Sequence, residues 1–208
     1  MDKAPRFVFL PQTRLARGVV LACLLLAVAI VGVGLWRGLL SDVGPSIGGA
    51  FALTDQFDKP RTDADFRGQY MLVFFGFSNC PDICPIELQT ISDALDRLDA
   101  TQAAEVTPIF ITVDPARDSP DVLRAYVANF HPRLVALTGS AEAIGAVAKA
   151  YRVYYAKTTG AKAPSDPAAY ILDHTAVVYL MGRKGEYVTH FSPGTTAEAM
   201  AADLRNRL

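Results

Sequence analysis

The chain has 208 residues, of which 51% are hydrophobic and 20% are charged, and its formal net charge is −1. This length and hydrophobic content suffice for one domain with a substantial core and an additional segment. The near-neutral charge excludes the strongly basic surface that nucleic-acid binding requires, so we expect no nucleic-acid partner. Cysteine use is sparse, with three in the whole chain.

The first predicted element is an apolar run near the N-terminus. Gly18–Trp36 is a run of nineteen residues without a charge, and as a helix rising about 1.5 Å per residue it would span roughly the hydrocarbon core of a bilayer. Four basic residues and one acid precede it. The positive-inside rule therefore predicts a cytoplasmic tail at 1–17, a transmembrane anchor at 18–36 and a linker at 37–47, with the rest of the chain outside the cytoplasm. A cleaved signal peptide is the alternative, but the run is long for one and no clear cleavage pattern follows it.

A single domain is predicted from residue 48 to residue 208. Strand patterns alternate with helix patterns and end in a hairpin and a helix, which indicates an α/β sandwich with a central mixed sheet. In chain order, the predicted elements are a hairpin (51–56 and 61–66), a buried strand (71–77), a helix that includes Cys84 and Leu98, a strand (106–113), a helix (120–130), a strand (134–137), a helix (141–151), a loop (157–167), a hairpin (175–181 and 186–191) and a helix (195–208).

Two of the cysteines, Cys80 and Cys84, lie where the buried strand gives way to a helix. From Cys84 onward, apolar residues recur at spacings of four and three, which is one face of a helix. Pro81 suits a first helical turn, so both thiols are predicted near a helix N-terminus, whose partial positive charge favours thiolate. A disulfide between them would close so short a loop that it would stabilise the fold by only about 2 kcal/mol. We therefore interpret Cys80 and Cys84 as a functional site that binds a soft metal or exchanges disulfides.

A metal site would need a third ligand, and the chain has three histidines. His174 lies between the long loop and an apolar strand, where its side chain can face an opening. His131 is interpreted as the end of a helix, and His190 as a residue of a hairpin strand. Spacing alone leaves a hydrogen-bonded structural role open for His174. Two cysteines and one histidine suit Cu(I), whereas zinc prefers four ligands, or three and a water.

Four motifs then occur together in one order: Leu53–Gln56, Phe75–Pro85, Thr112–Pro120 and Asp173–Thr175. With these motifs, the chain resembles the Sco/SenC family of membrane-anchored, thioredoxin-like copper proteins that act in cytochrome c oxidase assembly. The resemblance implies a thioredoxin fold for residues 48–208 and one copper per chain, as Cu(I) and also Cu(II), bound by Cys80, Cys84 and His174. Asp114, Arg117 and Asp118 match the family motif too, although a strand end and a helix cap would explain them.

The resemblance implies two related functions. The first is a metallochaperone that delivers copper to the dinuclear copper site of cytochrome c oxidase subunit II. The second is a thiol–disulfide reductase that keeps the cysteines of that site reduced, with Cys80 and Cys84 as its redox-active pair. A peroxidase on the same fold would need an activating arginine beside Cys80, and the sequence near Cys80 offers none. The N-terminus is too short for a transit peptide plus an anchor, so we expect a bacterial inner-membrane protein with its domain in the periplasm. Its copper donor or reductant is not indicated.

Overall fold

The computed structural model describes residues 14–40, 47–158 and 170–208. The chain divides into two units, Met1–Pro45 and Ser46–Leu208. In the first unit, helix α1 runs from Arg14 to Leu40, and the apolar side chains between Val19 and Val33 are exposed.

The helix predicted at 18–36 is therefore present, but its prediction as a transmembrane anchor is not supported. Within the described parts of the chain, no helix combines the length and the apolar character needed to cross a membrane. Most of the predicted tail at 1–17 and linker at 37–47 lies outside the described residues.

The second unit is built on a mixed seven-stranded sheet. Its strands are β1 (Ala52–Asp55), β2 (Pro60–Thr62), β3 (Tyr70–Gly76), β4 (Val106–Thr112), β5 (Val135–Thr138), β8 (Val178–Met181) and β9 (Tyr187–Phe191). They lie in the order β2-β1-β5-β4-β3-β8-β9. Strands β3, β4 and β5 are parallel to one another, and all other neighbours in the sheet are antiparallel. The predicted mixed sheet is confirmed.

A separate two-stranded sheet pairs β6 (Tyr155–Thr158) with β7 (Ile171–His174). The sequence pattern predicted a loop from Lys157, and this is wrong for Lys157 and Thr158, which pair with Leu172 and Ile171. The remainder of the predicted loop, from 159 onward, lies outside the described residues. The small sheet matters for function because His174 is its last residue.

Helices pack on the large sheet and on one another. The helices of this unit are α2 (Ile83–Asp96), α3 (Ala100–Ala104), α4 (Pro120–Val127), α5 (Ala141–Ala150) and α6 (Ala197–Arg205), and a 3-10 turn covers Asp63–Phe66. Helix α2 contacts α6 and β3, α4 contacts β5, and α5 contacts β1. Helix α3 was not predicted from the sequence.

The core is centred on strands β3 and β4, whose residues are buried throughout apart from Tyr70 at the start of β3. The predicted inner face of α2, from Cys84 to Leu98, is buried as expected. In α4, which contacts β5, Leu123 and Val127 are buried, whereas Val122 is 41% exposed.

Candidate metal site

The site begins where β3 ends, at Gly76. Helix α2 starts at Ile83 with Asp82 as its N-cap, so Pro81 precedes the helix instead of occupying its first turn. Cys84 is therefore in the first turn of α2, and Cys80 lies in the preceding loop, where its N–H donates to the Phe77 carbonyl at 3.2 Å. Cys84 is fully buried, while Cys80 is partly exposed, and both are free thiols.

His174 reaches Cys84 from the small sheet. Its Nε2 lies 3.3 Å from Cys84 Sγ, and its Nδ1 lies 3.1 Å from the carbonyl oxygen of Thr175. Because a carbonyl can only accept, Nδ1 carries the ring proton and Nε2 presents a lone pair to the sulfur. The rings of Phe74 and Phe77 pack against the imidazole in T-shaped geometry, at centroid distances of 6.2 and 5.7 Å. The hydrogen bond from Nδ1 to the Thr175 carbonyl leaves Nε2 free for a metal, which is the arrangement typical of metal-ligating histidines.

The structure thus brings together the three residues that the sequence singled out. One ligand atom from each of Cys80, Cys84 and His174 lies within 4.8 Å of the other two. Two sulfurs and one imidazole nitrogen form a soft donor set that fits Cu(I). A carboxylate, which a harder cation would favour, is not part of this group.

Burial controls the charge of the ligands. It raises the pKa of the Cys84 thiol far above its ordinary value, although a backbone hydrogen bond from Phe77 acts in the opposite direction. The predicted thiolate at the helix N-terminus is therefore wrong for Cys84 in the metal-free protein, because desolvation outweighs the helix dipole. Burial also lowers the pKa of His174, so its imidazole is neutral at pH 7 and able to bind a metal.

Asp118 holds the loop that carries Cys80. Its carboxylate is fully buried and accepts hydrogen bonds from the Ser78 N–H, the Ser78 hydroxyl and the Thr112 hydroxyl. Three donors to one carboxylate fix the turn between β3 and α2 relative to the end of β4. The N-cap of α4 is Ser119, so Asp118 serves the cysteine loop and is not the cap of that helix. The motif match was the only sequence signal for this role.

A second cluster connects the loop between β4 and α4 to the strand that carries His174. Asp114 accepts hydrogen bonds from the Tyr170 hydroxyl and from Arg117 Nε, and Arg117 Nη1 donates to the Tyr170 carbonyl at 3.0 Å. The guanidinium carbon lies 3.8 Å from the centroid of the Tyr170 ring. Tyr170 immediately precedes β7, so these contacts restrain the approach of the small sheet to the cysteines. Sequence reasoning missed Tyr170, which no local pattern distinguishes.

The other histidines lie elsewhere in the domain, as expected. His131 Nδ1 accepts from the Arg133 N–H, and His190 is hydrogen-bonded to the Tyr187 hydroxyl. The remaining cysteine, Cys23, belongs to α1 in the first unit.

Known proteins resemble this chain in sequence and in fold. The family model described as SCO1/SenC matches residues 41–208. The chain is 40% identical over 165 residues to the mitochondrial Protein SCO1 homolog of Homo sapiens. The matched region covers 79% of this chain and 54% of that protein. It therefore spans little more than half the length of that relative.

Two solved structures are similar in both fold and sequence. The structure of Bradyrhizobium japonicum ScoI with copper bound is 42% identical with a TM-score of 0.71, covering 78% of this chain and 100% of that chain. The crystal structure of Arabidopsis thaliana ScoI with copper bound is 36% identical, also with a TM-score of 0.71 and the same coverage. These likenesses confirm the thioredoxin-like α/β fold, and with the match to the family model they show that the chain belongs to the SCO1/SenC family.

Proposed function

We propose that this chain is a copper metallochaperone that binds one copper ion through Cys80, Cys84 and His174. The observation that carries the proposal is the convergence of two sulfurs and one lone-pair-bearing nitrogen within 4.8 Å of one another. Copper is the metal because this donor set is soft, and because two relatives of similar fold have been solved with copper bound.

Binding changes the protonation of the ligands. His174 is already neutral and offers Nε2 without losing a proton, whereas the buried Cys84 must release one as it becomes a thiolate. The proton on Cys84 is held tightly in the metal-free protein because the thiol is buried. Copper affinity should therefore rise with pH, because the Cys84 proton must be displaced.

The geometry also suits transfer. Cys84 and His174 are held by α2 and the small sheet, while Cys80 lies on a loop and is partly exposed. A thiolate of the acceptor protein can bind the metal on the Cys80 side before a ligand of this chain leaves, so copper keeps its coordination throughout the transfer. We propose the dinuclear copper site of cytochrome c oxidase subunit II as the acceptor, on the strength of the family to which the chain belongs.

The binding proposal is tested by loading the purified full-length chain anaerobically with Cu(I) and with Cu(II) after reduction. Wild type should retain one copper per chain, and Cys80→Ser, Cys84→Ser and His174→Ala should each lose it. The matched controls are His131→Ala and Cys23→Ser, which should bind as wild type does. Copper retained by His174→Ala would refute the three-ligand site. Transfer is then measured by incubating the loaded chain with a reduced subunit II peptide and determining the copper content of each.

A thiol–disulfide reductase is the second candidate, and the contrast between the two cysteines favours it specifically. Cys80 is accessible and can attack a disulfide, whereas the buried Cys84 can act only as the resolving thiol. Cys80 thiolate would displace one sulfur of the substrate disulfide, and Cys84 would then attack Cys80, leaving a Cys80–Cys84 disulfide and two substrate thiols. Rapid exchange with an oxidised subunit II peptide, without stoichiometric copper, would favour the reductase over the chaperone.

We also propose that the chain is held at the bacterial inner membrane with its C-terminal domain in the periplasm. The support is the exposed apolar surface of α1 between Val19 and Val33 and the basic residues that precede it in the sequence. Fractionation with alkaline extraction, combined with protease treatment of intact and permeabilised spheroplasts, tests this location. Recovery of the chain in the soluble fraction, or protection of the domain only by an intact inner membrane, would contradict it.

A further inference from the structure

Phe77 is the first residue after β3, and it contacts both parts of the chain that supply ligands to the proposed copper site. On one side, its carbonyl accepts a hydrogen bond from the Cys80 N–H at 3.2 Å. On the other side, its ring packs against the imidazole of His174 in T-shaped geometry, with the two centroids 5.7 Å apart. Cys80 and His174 are distant in the sequence, so Phe77 is a point at which the cysteine loop and β7 meet.

The ring of Phe77 is itself held in place. The side chain is fully buried, and the guanidinium carbon of Arg117 lies 5.8 Å from the ring centroid, where a cation is attracted to the aromatic face. Arg117 is in turn fixed by the Asp114 carboxylate and by the carbonyl of Tyr170. The ring of Phe77 therefore presents a fixed surface to the imidazole.

The imidazole of His174 needs such a surface to keep its orientation. Its hydrogen bond from Nδ1 to the Thr175 carbonyl determines which nitrogen carries the proton, but the imidazole could still turn about this bond. The rings of Phe74 and Phe77, inclined to the imidazole by 67° and 83°, pack against it and limit that rotation. As a result, Nε2 stays directed at Cys84 Sγ, 3.3 Å away.

Of these two rings, that of Phe77 is the one specific to the site. Phe74 belongs to β3, where it pairs with Phe110 and Val178, and its ring also packs against the ring of Phe110. Phe74 therefore serves the centre of the sheet as well. Phe77 lies beyond the last residue of the strand, and its ring is the nearer of the two to His174.

We propose that Phe77 is a positioning residue of the copper site, whose ring holds the His174 imidazole in the orientation that metal binding needs. The inference rests on the proposed copper function and assigns a residue beyond the three ligands. Phe77 acts through His174 and offers no donor atom of its own to the metal. Its removal should therefore weaken copper binding although Cys80, Cys84 and His174 all remain, because metal–ligand distances tolerate only about 0.2 Å of displacement.

The test is Phe77→Leu in the full-length chain, with Phe75→Leu as the matched control. Leucine removes the aromatic ring and keeps the backbone hydrogen bond to Cys80. Phe75 is equally buried, but its ring packs against Tyr151 and Tyr179. Urea unfolding of the metal-free chain should show a similar loss of stability in both variants, because each leaves a cavity in the core.

Three readouts at the site should distinguish the two variants. We expect Phe77→Leu to bind one copper about tenfold more weakly in competition with a chelator, as is usual when an outer-shell residue is lost, and to shift the thiolate-to-Cu(II) absorption band. In NMR spectra of the metal-free chain, the Nδ1 proton of His174 should exchange with water faster than in wild type, because the imidazole turns more freely. Phe75→Leu should match wild type in all three.

A second variant, Phe77→Met, is measured alongside because its flexible side chain fills irregular space without providing a ring. It should behave at the site as Phe77→Leu does. If neither variant of Phe77 folds while Phe75→Leu does, Phe77 is required by the core and the inference is wrong.

The other results separate this inference from the proposed function. If wild type binds copper and the variants of Phe77 keep its affinity, absorption band and proton exchange, the inference is wrong while the copper site stands. If Phe75→Leu changes these readouts as much as Phe77→Leu does, the effect is one of general packing and the inference is likewise wrong. If wild type binds no copper, the proposed function and the inference fail together.

Discussion

Gly76, the last residue of β3, is the position at which a single methyl group should do most damage to the site. An alanine Cβ there would lie 2.7 Å from Cys84 Sγ, 2.9 Å from Phe110 Cε2 and 3.2 Å from Phe74 Cε1. Non-bonded heavy atoms normally stay about 3.5–4.0 Å apart, so the sulfur and the Phe110 ring would each have to retreat by roughly 1 Å. Both are fully buried, and a close-packed core resists such a displacement.

We expect Gly76→Ala to lower the free energy of unfolding by about 1–3 kcal/mol, the usual effect of overpacking a core. Copper affinity should fall as well, because a displacement of roughly 1 Å far exceeds the ~0.2 Å tolerance of metal–ligand distances. Urea unfolding of the metal-free chain measures the first effect, and chelator competition measures the second.

The matched control is Gly145→Ala in the interior of α5, where the nearest atom to the new Cβ would be Tyr155 Oη at 3.7 Å. That variant should gain about 0.5–1 kcal/mol of stability, since alanine is the better helix former, and it should bind copper as wild type does. If Gly76→Ala matched wild type in both stability and copper affinity, the close packing described around Cys84 would be wrong.

Three further predictions concern buried carboxylates. Asp118→Asn should cost about 1.5–3 kcal/mol of stability and weaken copper binding, because an amide nitrogen cannot accept from Ser78; urea unfolding and chelator competition measure the two effects. Glu87→Gln should raise the unfolding free energy at pH 7. Burial raises the pKa of Glu87 despite a backbone hydrogen bond from Gly194. Wild type therefore loses stability as pH rises through the pKa of Glu87 in the folded protein, and the stability advantage of Glu87→Gln should vanish near pH 4. Asp55→Asn should be destabilising at pH 7. Burial disfavours the charge of Asp55, but two backbone N–H groups and a guanidinium outweigh it and lower its pKa, so the difference should shrink as pH falls below about 4.

Each of these three predictions has an outcome that contradicts it. An Asp118→Asn protein with wild-type copper affinity would remove that carboxylate from any role in holding the cysteine loop. A Glu87→Gln protein that is less stable than wild type at pH 7 would show that the charge is stabilised by its surroundings. A stability difference for Asp55→Asn that stays constant from pH 7 to pH 3 would show that its pKa is not lowered in the folded protein.

Local patterns were sufficient for the parts of the fold that depend on local sequence. The uninterrupted apolar run at 71–77 predicted the central strand, and the spacing of apolar residues after Cys84 predicted the buried face of α2, because both periodicities follow directly from backbone geometry. The sequence alone did not decide which face of α4 is buried, because it offers two apolar rows, and only the position of β5 determines that Leu123 and Val127 are the buried ones.

The site depended on contacts between distant parts of the chain. Spacing alone could not distinguish His174 from a structural histidine, and the family resemblance was needed to place it beside the cysteines. The pairing of Lys157 with Leu172 has no local signal, since a strand of four residues in a two-stranded sheet is defined by its partner. The protonated state of Cys84 was missed for a related reason: the helix N-terminus is visible in the sequence, but the burial that outweighs it is not.

The position of His174 at the end of the small sheet has a mechanical consequence. Cys84 and His174 are 90 residues apart, so a metal held by both is a cross-link that closes a loop almost half as long as the chain. In the chain-entropy description, a cross-link of that span restricts the unfolded ensemble by about 4–5 kcal/mol, whereas one between Cys80 and Cys84 alone restricts it by roughly half as much. Copper that is bound by the histidine as well as the cysteines should therefore act as a reversible cross-link. Copper binding would raise the free energy of unfolding of the whole domain, and copper release would return the domain to a less stable state.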